Sequence, residues 1–285
     1  MDVTLVSCSH LPEPDPDANA LNAALDATGF TYRTVAWNDP NVDWSLTPLT
    51  VIRSPWDYPQ HCDDFVAWAE RISKVTRLCN PASIVRWNSH KSYLLDLEKQ
   101  GIPIVPTALF NQGSPATLGQ VMDERGWSVA VVKPAVSCGS FKTIRVDSSN
   151  STQGEEHFTE LLAECDVLVQ LYLPSVEDYG ERALVWIDEG LTHAVRKTVR
   201  FEGDAESVSE AVEISWAERQ LAELVLNSVN ERLLYARIDM APGPDGTPVI
   251  MELELIEPSL FFDQCRTSLH RFVQGMLVRL NFISD

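Results

Sequence analysis

"LLYARIDMAPGPDGTPVIMELELIEPS", residues 233–259, decides how the rest of the chain is read. Two apolar runs flank "APGPDGTP", a connector made of the residues that turn a chain, and so read as an antiparallel pair of strands joined by a longer loop. Side chains alternate across a strand with period two. Arg237 and Asp239 therefore share one face, with Ala236, Ile238 and Met240 on the other. Glu252 and Glu254 likewise share a face, and Met251, Leu253 and Leu255 take the opposite one. Three carboxylates gather on one side of one hairpin. Crowded carboxylates raise one another's pKa unless a cation neutralises them. Carboxylates with water and phosphate oxygens are the usual holders of Mg²⁺, which dehydrates reluctantly. The competing reading, a solvated acidic face on an edge strand, sits poorly with so apolar a segment, because strands disfavour Glu.

A second stretch, "VAVVKPAVSCGSFKTIRV" at 129–146, ends a core-like strand in Lys133 and continues through a loop of small residues into another apolar alternation. It reads as a strand-loop-strand. The loop is either exposed with a solvated lysine, or a flap whose backbone N–H groups and lysine hold an anion. Beside a metal-type carboxylate set, the second reading points to a magnesium nucleotide. No G-x-x-x-x-G-K-[ST] loop and no G-x-G-x-x-G after a strand is present, so the nucleotide needs another cradle.

Forty-one acidic against 22 basic residues give a formal charge of −19, which argues against nucleic acid and anionic membranes as partners. No apolar run approaches the ~18 residues of a membrane span. The N-terminus lacks the basic region of a signal peptide, and the six cysteines form no C-x-x-C pair. A cytoplasmic protein with reduced thiols is expected.

Alternating strands and helices over residues 1–86 predict a small parallel α/β domain. It includes helices in "DANALNAALDATGF" and "CDDFVAWAERISKV". A helix is predicted over "NSHKSYLLDLEKQG", with Asn88 or Ser89 as its N-cap, followed by an extended proline-containing connector, "IPIVPTALF". Two α+β regions follow, 87–170 and 171–285. They carry a strand at 192–199, a long helix around 209–231 and an amphipathic helix at 265–282 that packs or forms a dimer face. The eight tryptophans read mostly as core and interface anchors.

The order "N-x-x-K", "VVKPAxSxGS", "LVQLYLP", "GERALV", "HAVRK", "RID" and "MELELIEPS" resembles the ATP-grasp superfamily from Asn88 to Ser259. Its glutathione-synthetase-like and ribosomal-protein-modifying branch is the nearest in motif order. "RSPWDY", "NPASIVRWNSHKSYLLDL" and "MELELIEPSLFF" resemble the group that includes D-cycloserine synthetase. The resemblance implies an ATP-grasp fold in which a small N-terminal α/β domain precedes two α+β lobes that clamp ATP. By the same resemblance, Lys91 and Lys133 contact the phosphates, and Ser137, Gly139 and Ser140 belong to the flap over them. Gln170, Leu171, Tyr172 and Leu173 form the hinge whose backbone amides read adenine, and Glu177 or Glu181 takes the ribose. Arg196 and Arg237 meet the terminal phosphate or the reacting carboxylate, and Asp239, Glu252 and Glu254 bind two Mg²⁺ ions, with Mn²⁺ as an alternative. Glu254 departs from many relatives, which carry Asn there.

The set fits activation of a carboxylate as an acylphosphate, then attack by an amine. Arg53, Trp56, Asp57 and Tyr58 follow a strand where ligands meet open α/β sheets, and are either substrate contacts or turn packing. Cys138 reads as a small flap residue and His193 as a packed histidine. The expected function is a ligase or cyclo-ligase on a small amino-acid-like substrate, in a monomer or homodimer. A phosphotransferase and a regulatory nucleotide-binding module are the alternatives.

Overall fold

The structure is a computed structural model that describes residues 1–198 and 207–281. Strands β1 (Val3–Ser7), β2 (Tyr32–Ala36), β3 (Leu49–Ser54) and β4 (Arg77–Cys79) form a parallel sheet in the order β2-β1-β3-β4. Helices α1 (Ala18–Thr28) and α2 (Cys62–Ile72) are its crossovers. Strands β1 and β3 are buried throughout, as two-sided parallel strands require. One face of α2 buries Phe65 and Trp68 against Trp37 and Trp44 in an aromatic core.

The helix predicted for residues 88–101 is shorter, α4 (Tyr93–Lys99), and a separate helix, α3 (Ala82–Asn88), precedes it. The chain leaves the helical path between them because the Lys91 N–H bonds at 2.8 Å to the carbonyl of Ala135, in the flap loop. That bond fixes the lysine at the flap rather than on a helix surface.

The next sheet is antiparallel, in the order β5-β8-β6-β7, from β5 (Thr107–Phe110), β6 (Ala130–Pro134), β7 (Ile144–Val146) and β8 (Val167–Leu171). Helices α5 (Leu118–Arg125) and α6 (Ser151–Glu164) cover one of its faces. After the short helix α7 (Ser175–Tyr179), the third sheet runs β10-β9-β11-β12. Its strands are β9 (Glu181–Ile187), β10 (Gly190–Lys197), β11 (Tyr235–Pro242) and β12 (Pro248–Glu254). The predicted long helix is shorter, α8 (Trp216–Ser228). Ser215 and Glu218 close a capping box at its start, and the residues before it bridge to β10, Val212 opposite Ala194 and Val208 opposite Lys197. Trp216, read as an anchor, is 76% exposed. Helix α9 (Arg266–Asn281) buries Phe272 and Met276 in a core shared by the first and third sheets, so the N-terminal sheet is packed onto the third. Positions 199 and 282, at the ends of the predicted strand and helix, lie outside the described residues.

The outer edge of β12 is covered. Ile250 exchanges hydrogen bonds with the connector, its N–H to Pro103 at 3.0 Å and its carbonyl from Val105 at 2.8 Å. Tyr93 accepts the Leu253 N–H, and the Asn88 amide bonds the Leu253 carbonyl and the Leu255 N–H. Asn80 donates to the Leu255 carbonyl. Asn88 is thus the last residue of α3, and its side chain holds an edge strand instead of capping a helix. Unpaired strand edges are hydration and aggregation liabilities; here the same bonds lock the register of the hairpin that carries the acidic residues.

Candidate active site

The hairpin pairs Arg237 with Glu254 and Asp239 with Glu252. All four side chains lie on one face, as strict alternation requires. A bulge between Asp239 and Met240 then shifts the phase, so that Met240 faces Ile250. The expectation that Met251 packs with Leu253 and Leu255 is therefore corrected. Ile250 joins those two in the core beneath α8, and Met251 turns to Tyr172, Leu173, Val105 and Val249. These residues, with Val129, Val131 and Leu171, pack as an apolar seam between the second and third sheets.

Four carboxylates and four cations interlock beside this seam. Lys133 Nζ donates to Glu252 at 2.5 Å, and Lys91 Nζ stands 3.5 Å from the other oxygen of the same carboxylate. Lys91 also donates to the Ser137 carbonyl at 3.0 Å. Lys197 donates to Asp239 at 2.6 Å and lies 3.4 Å from Glu181. Arg237 grips Asp239 with two bonds of 2.9 Å and reaches Glu254 as well.

Burial alone would raise the Glu252 pKa, but Lys133 and Lys91 outweigh it and hold the carboxyl well below its usual range. Asp239 is also lowered, Arg237 and Lys197 overcoming burial. Burial and the like charges of Asp239 and Glu252 push Glu254 up to about 7, despite Arg237. Glu257, three residues further on, is pushed up to about 8 by burial and by Glu254.

The flap turns over the lysines. Gly139 and Ser140 both take left-handed backbone, at φ 58° and 61°, a conformation that glycine adopts without strain. Cys138 Sγ donates to the Trp56 carbonyl at 3.3 Å. Burial and Glu257 push its thiol far above its usual range, which disfavours the thiolate a nucleophile needs. Ser137, within the flap, is buried.

A family match covers residues 3–80, described as the N-terminal domain of D-cycloserine synthetase DcsG. Over 286 aligned residues the chain is 34% identical to the cycloserine biosynthesis protein DcsG of Streptomyces lavendulae, spanning 93% of this chain and 94% of that one. The chain belongs to the DcsG family of ATP-grasp ligases. The crystal structure of D-cycloserine synthetase DcsG superposes with a TM-score of 0.89 at 32% identity, over 98% of this chain and all (100%) of that one. A D-alanine–D-alanine ligase from Bacillus anthracis complexed with ATP shares the fold alone, with a TM-score of 0.72 at 15% identity over 99% and 98% of the two chains.

Within this ATP-grasp fold, not every expected residue reaches the cluster. Arg196 is exposed and lies over the Tyr179 ring at 5.1 Å, while its neighbour Lys197 points at Asp239. Period two explains it: Lys197 shares a face of β10 with Val195 and stands opposite Glu181, whereas Arg196 shares the other face with Ala194. Of the hinge amides, the Leu171 N–H is bonded to Pro106 and the Tyr172 N–H to Val129, at 2.9 and 3.1 Å. Only the Leu173 N–H has no partner among the described residues. The Gln170 side chain turns away to Thr107. Glu177 is exposed and accepts the Tyr172 hydroxyl at 2.9 Å, whereas Glu181 lies inside the charged cluster. Burial raises the Glu181 pKa, and Lys197 only partly offsets this.

The "RSPWDY" segment divides. Arg53 is buried, donates to Asp17 at 3.1 Å and to the Pro258 carbonyl at 3.3 Å, and lies over the rings of Tyr235, Phe262 and Phe272. Asp57 accepts the Trp37 indole N–H at 2.7 Å. Both are engaged in packing. Trp56 meets Glu257 through its indole N–H, which donates to the Glu257 backbone carbonyl at 3.2 Å, and Tyr58 is buried in the aromatic core against Phe65. Lys197 was missed from sequence, and strand parity locates it.

Proposed function

We propose that the protein is an ATP-dependent carboxylate–amine ligase or cyclo-ligase that activates a small amino-acid-like substrate as an acylphosphate. The observation that carries this reading is the convergence of Lys91 and Lys133 on Glu252, beside Asp239, Glu254 and the apolar seam. Two buried lysines on one carboxylate form a site ready to exchange partners. On nucleotide binding the lysines turn to phosphate oxygens, and Glu252 is released to a metal. The clamp lobes are 87–170 and 171–285, behind an N-terminal domain at 1–86.

Hard oxygen donors on Asp239, Glu252 and Glu254 fit Mg²⁺. Among the described residues no three metal-ligating side chains converge by themselves, which suits an ion shared with nucleotide phosphates rather than caged by protein. When bound, Mg²⁺ neutralises charge on the transferring phosphoryl group. The adenine docks at the apolar seam around Met251, Tyr172 and Leu173, with the Leu173 N–H as donor. Glu177 suits the ribose better than Glu181, because it sits on the hinge tyrosine and is not committed to a buried lysine. Lys197 and Arg237 orient Asp239 and supply positive potential near the transferring group.

A substrate carboxylate oxygen attacks the γ-phosphorus and ADP leaves. The amine nitrogen then attacks the acyl carbon, phosphate departs, and the nitrogen loses a proton as the C–N bond forms. The flap keeps water from the acylphosphate. The name of the Streptomyces relative, a cycloserine biosynthesis protein, favours ring closure within one substrate.

Mg²⁺-dependent ADP release across D- and L-amino acids, with and without hydroxylamine, tests the reading. ADP release that requires one acid, with a hydroxamate formed, is expected. A stable phosphorylated product without hydroxamate contradicts it in favour of a phosphotransferase.

A further inference from the structure

The segment after β12 holds a backbone conformation that its sequence does not invite. Phe261 sits at φ 52°, in the left-handed region, where a bulky side chain is an outlier. Its carbonyl accepts the Gln264 N–H at 3.1 Å, which makes it the first residue of a turn, a position that demands no positive φ. The cause lies in its neighbours. The Leu260 N–H donates to one oxygen of Asp17 at 2.5 Å, and the Phe262 N–H donates to the other at 3.0 Å. N–H groups that flank a left-handed residue form a concavity that binds an anion. Asp17 is itself buried and paired with Arg53, so the N-terminal domain holds this segment in place.

Glycine would serve such a concavity without strain. A phenylalanine there needs a second reason, and strain of this kind gathers at functional sites. The Arg237 guanidinium lies over the buried Phe261 ring, its carbon 5.6 Å from the centroid. Two of its N–H groups grip Asp239 at 2.9 Å, a bond runs to Glu254, and another reaches the Ser259 carbonyl at 3.4 Å. Asp239 and Glu254 are the carboxylates that turn to a metal under the ligase reading. The ring and the Ser259 carbonyl are contacts for which a metal bound to those carboxylates does not compete. Both come from the segment that Asp17 fixes.

We infer that Phe261 is a positioning residue, whose ring holds the Arg237 guanidinium toward the terminal phosphate of the nucleotide while Asp239 and Glu254 take up the metal. The inference rests on the ligase reading above. It adds a role for the N-terminal domain in phosphoryl transfer, since Asp17 sets the aim of Arg237 through one aromatic ring.

Calorimetry on the full chain with Mg²⁺ tests it by comparing AMP-PNP, which carries a terminal phosphoryl group, with ADP, which lacks one. Phe261→Leu keeps apolar bulk without a π face. It should weaken AMP-PNP by about tenfold, the scale of a desolvated cation–π contact, and leave ADP within about twofold. In an Arg237→Ala background the same change should cost less than about twofold more, because the ring then has no guanidinium to hold. If Phe261→Leu does not fold by circular dichroism, Phe261→Met is measured in its place. An equal loss for both nucleotides, no loss for AMP-PNP, or the full loss repeated in the Arg237→Ala background overturns the inference. Failure of the wild type to bind either nucleotide with Mg²⁺ overturns the ligase reading instead.

Discussion

Two buried ionic sites in this molecule differ in what completes them. In the Asp17–Arg53 pair, the backbone N–H groups of Leu260 and Phe262 donate to the carboxylate, and three aromatic rings enclose the guanidinium. Its partners are fixed by the fold, and it staples the N-terminal domain to the segment after β12. In the Lys91–Lys133–Glu252 site the partners are long side chains from a helix junction, the flap strand and the hairpin. Lysines can swing where backbone amides cannot. The first arrangement holds structure; the second is built to change hands. Burial of charge alone does not separate the two, but the mobility of the partners does.

The largest effect that would break this comparison is on turnover. Lys133→Ala and Glu252→Ala should each lower kcat/KM by about 10³-fold or more, the scale of lost transition-state electrostatics. Both variants should remain folded by circular dichroism. Normal turnover in either would remove the site assignment. The opposite profile is expected at the staple: Arg53→Ala leaves Asp17 buried without its cation and should cost about 3–5 kcal/mol of unfolding free energy in urea. A change under about 1 kcal/mol would mean that the pair is as exchangeable as the lysine site.

A sharper division lies within one strand. Lys197→Ala should reduce kcat/KM by about 10²-fold, since it strips a cation from Asp239. Arg196→Ala, one residue away and exposed, should stay within about twofold, so steady-state kinetics on the pair distinguishes strand parity from motif order.

The smallest effect concerns pH. Burial lowers the His193 pKa to about 4, so the folded protein excludes a proton that the unfolded chain binds from about 6.5 downward. Stability from this group is intact above pH 6.5 and is lost as pH falls towards 4, amounting to about 3 kcal/mol across the window. Urea unfolding at pH 7 and pH 4.5 should show a drop that is largely absent in a folded His193→Gln variant.

Much of the site was legible because strands impose period two. The convergence of Arg237, Asp239, Glu252 and Glu254 follows from alternation plus a turn-forming connector, and Lys133 from a strand that ends in a charge. What stayed hidden had no local period. The bulge that turns Met251 into the apolar seam is a one-residue slip, invisible in composition. The break that places Lys91 depends on a hydrogen bond to Ala135, 44 positions away in the sequence numbering (135 − 91). Arg53 and Trp56 are three residues apart, yet one serves packing and the other meets Glu257, a difference set by segments 200 residues downstream. Gly180 is a further case: a Cβ there would lie 2.3 Å from the Lys197 carbonyl, so the glycine lets the end of β10 approach and deliver its lysine.

The most direct test of partner exchange is ADP binding, by calorimetry, to the wild type and Glu252→Gln with and without Mg²⁺. If Glu252 holds the lysines until a nucleotide arrives and then serves the metal, Mg²⁺ should tighten ADP binding to the wild type by about tenfold or more. In Glu252→Gln, metal-free ADP should bind more tightly than to the wild type, because the lysines are released, and the Mg²⁺ enhancement should largely disappear. Equal Mg²⁺ enhancement in both proteins, with no gain in metal-free affinity, would contradict the exchange.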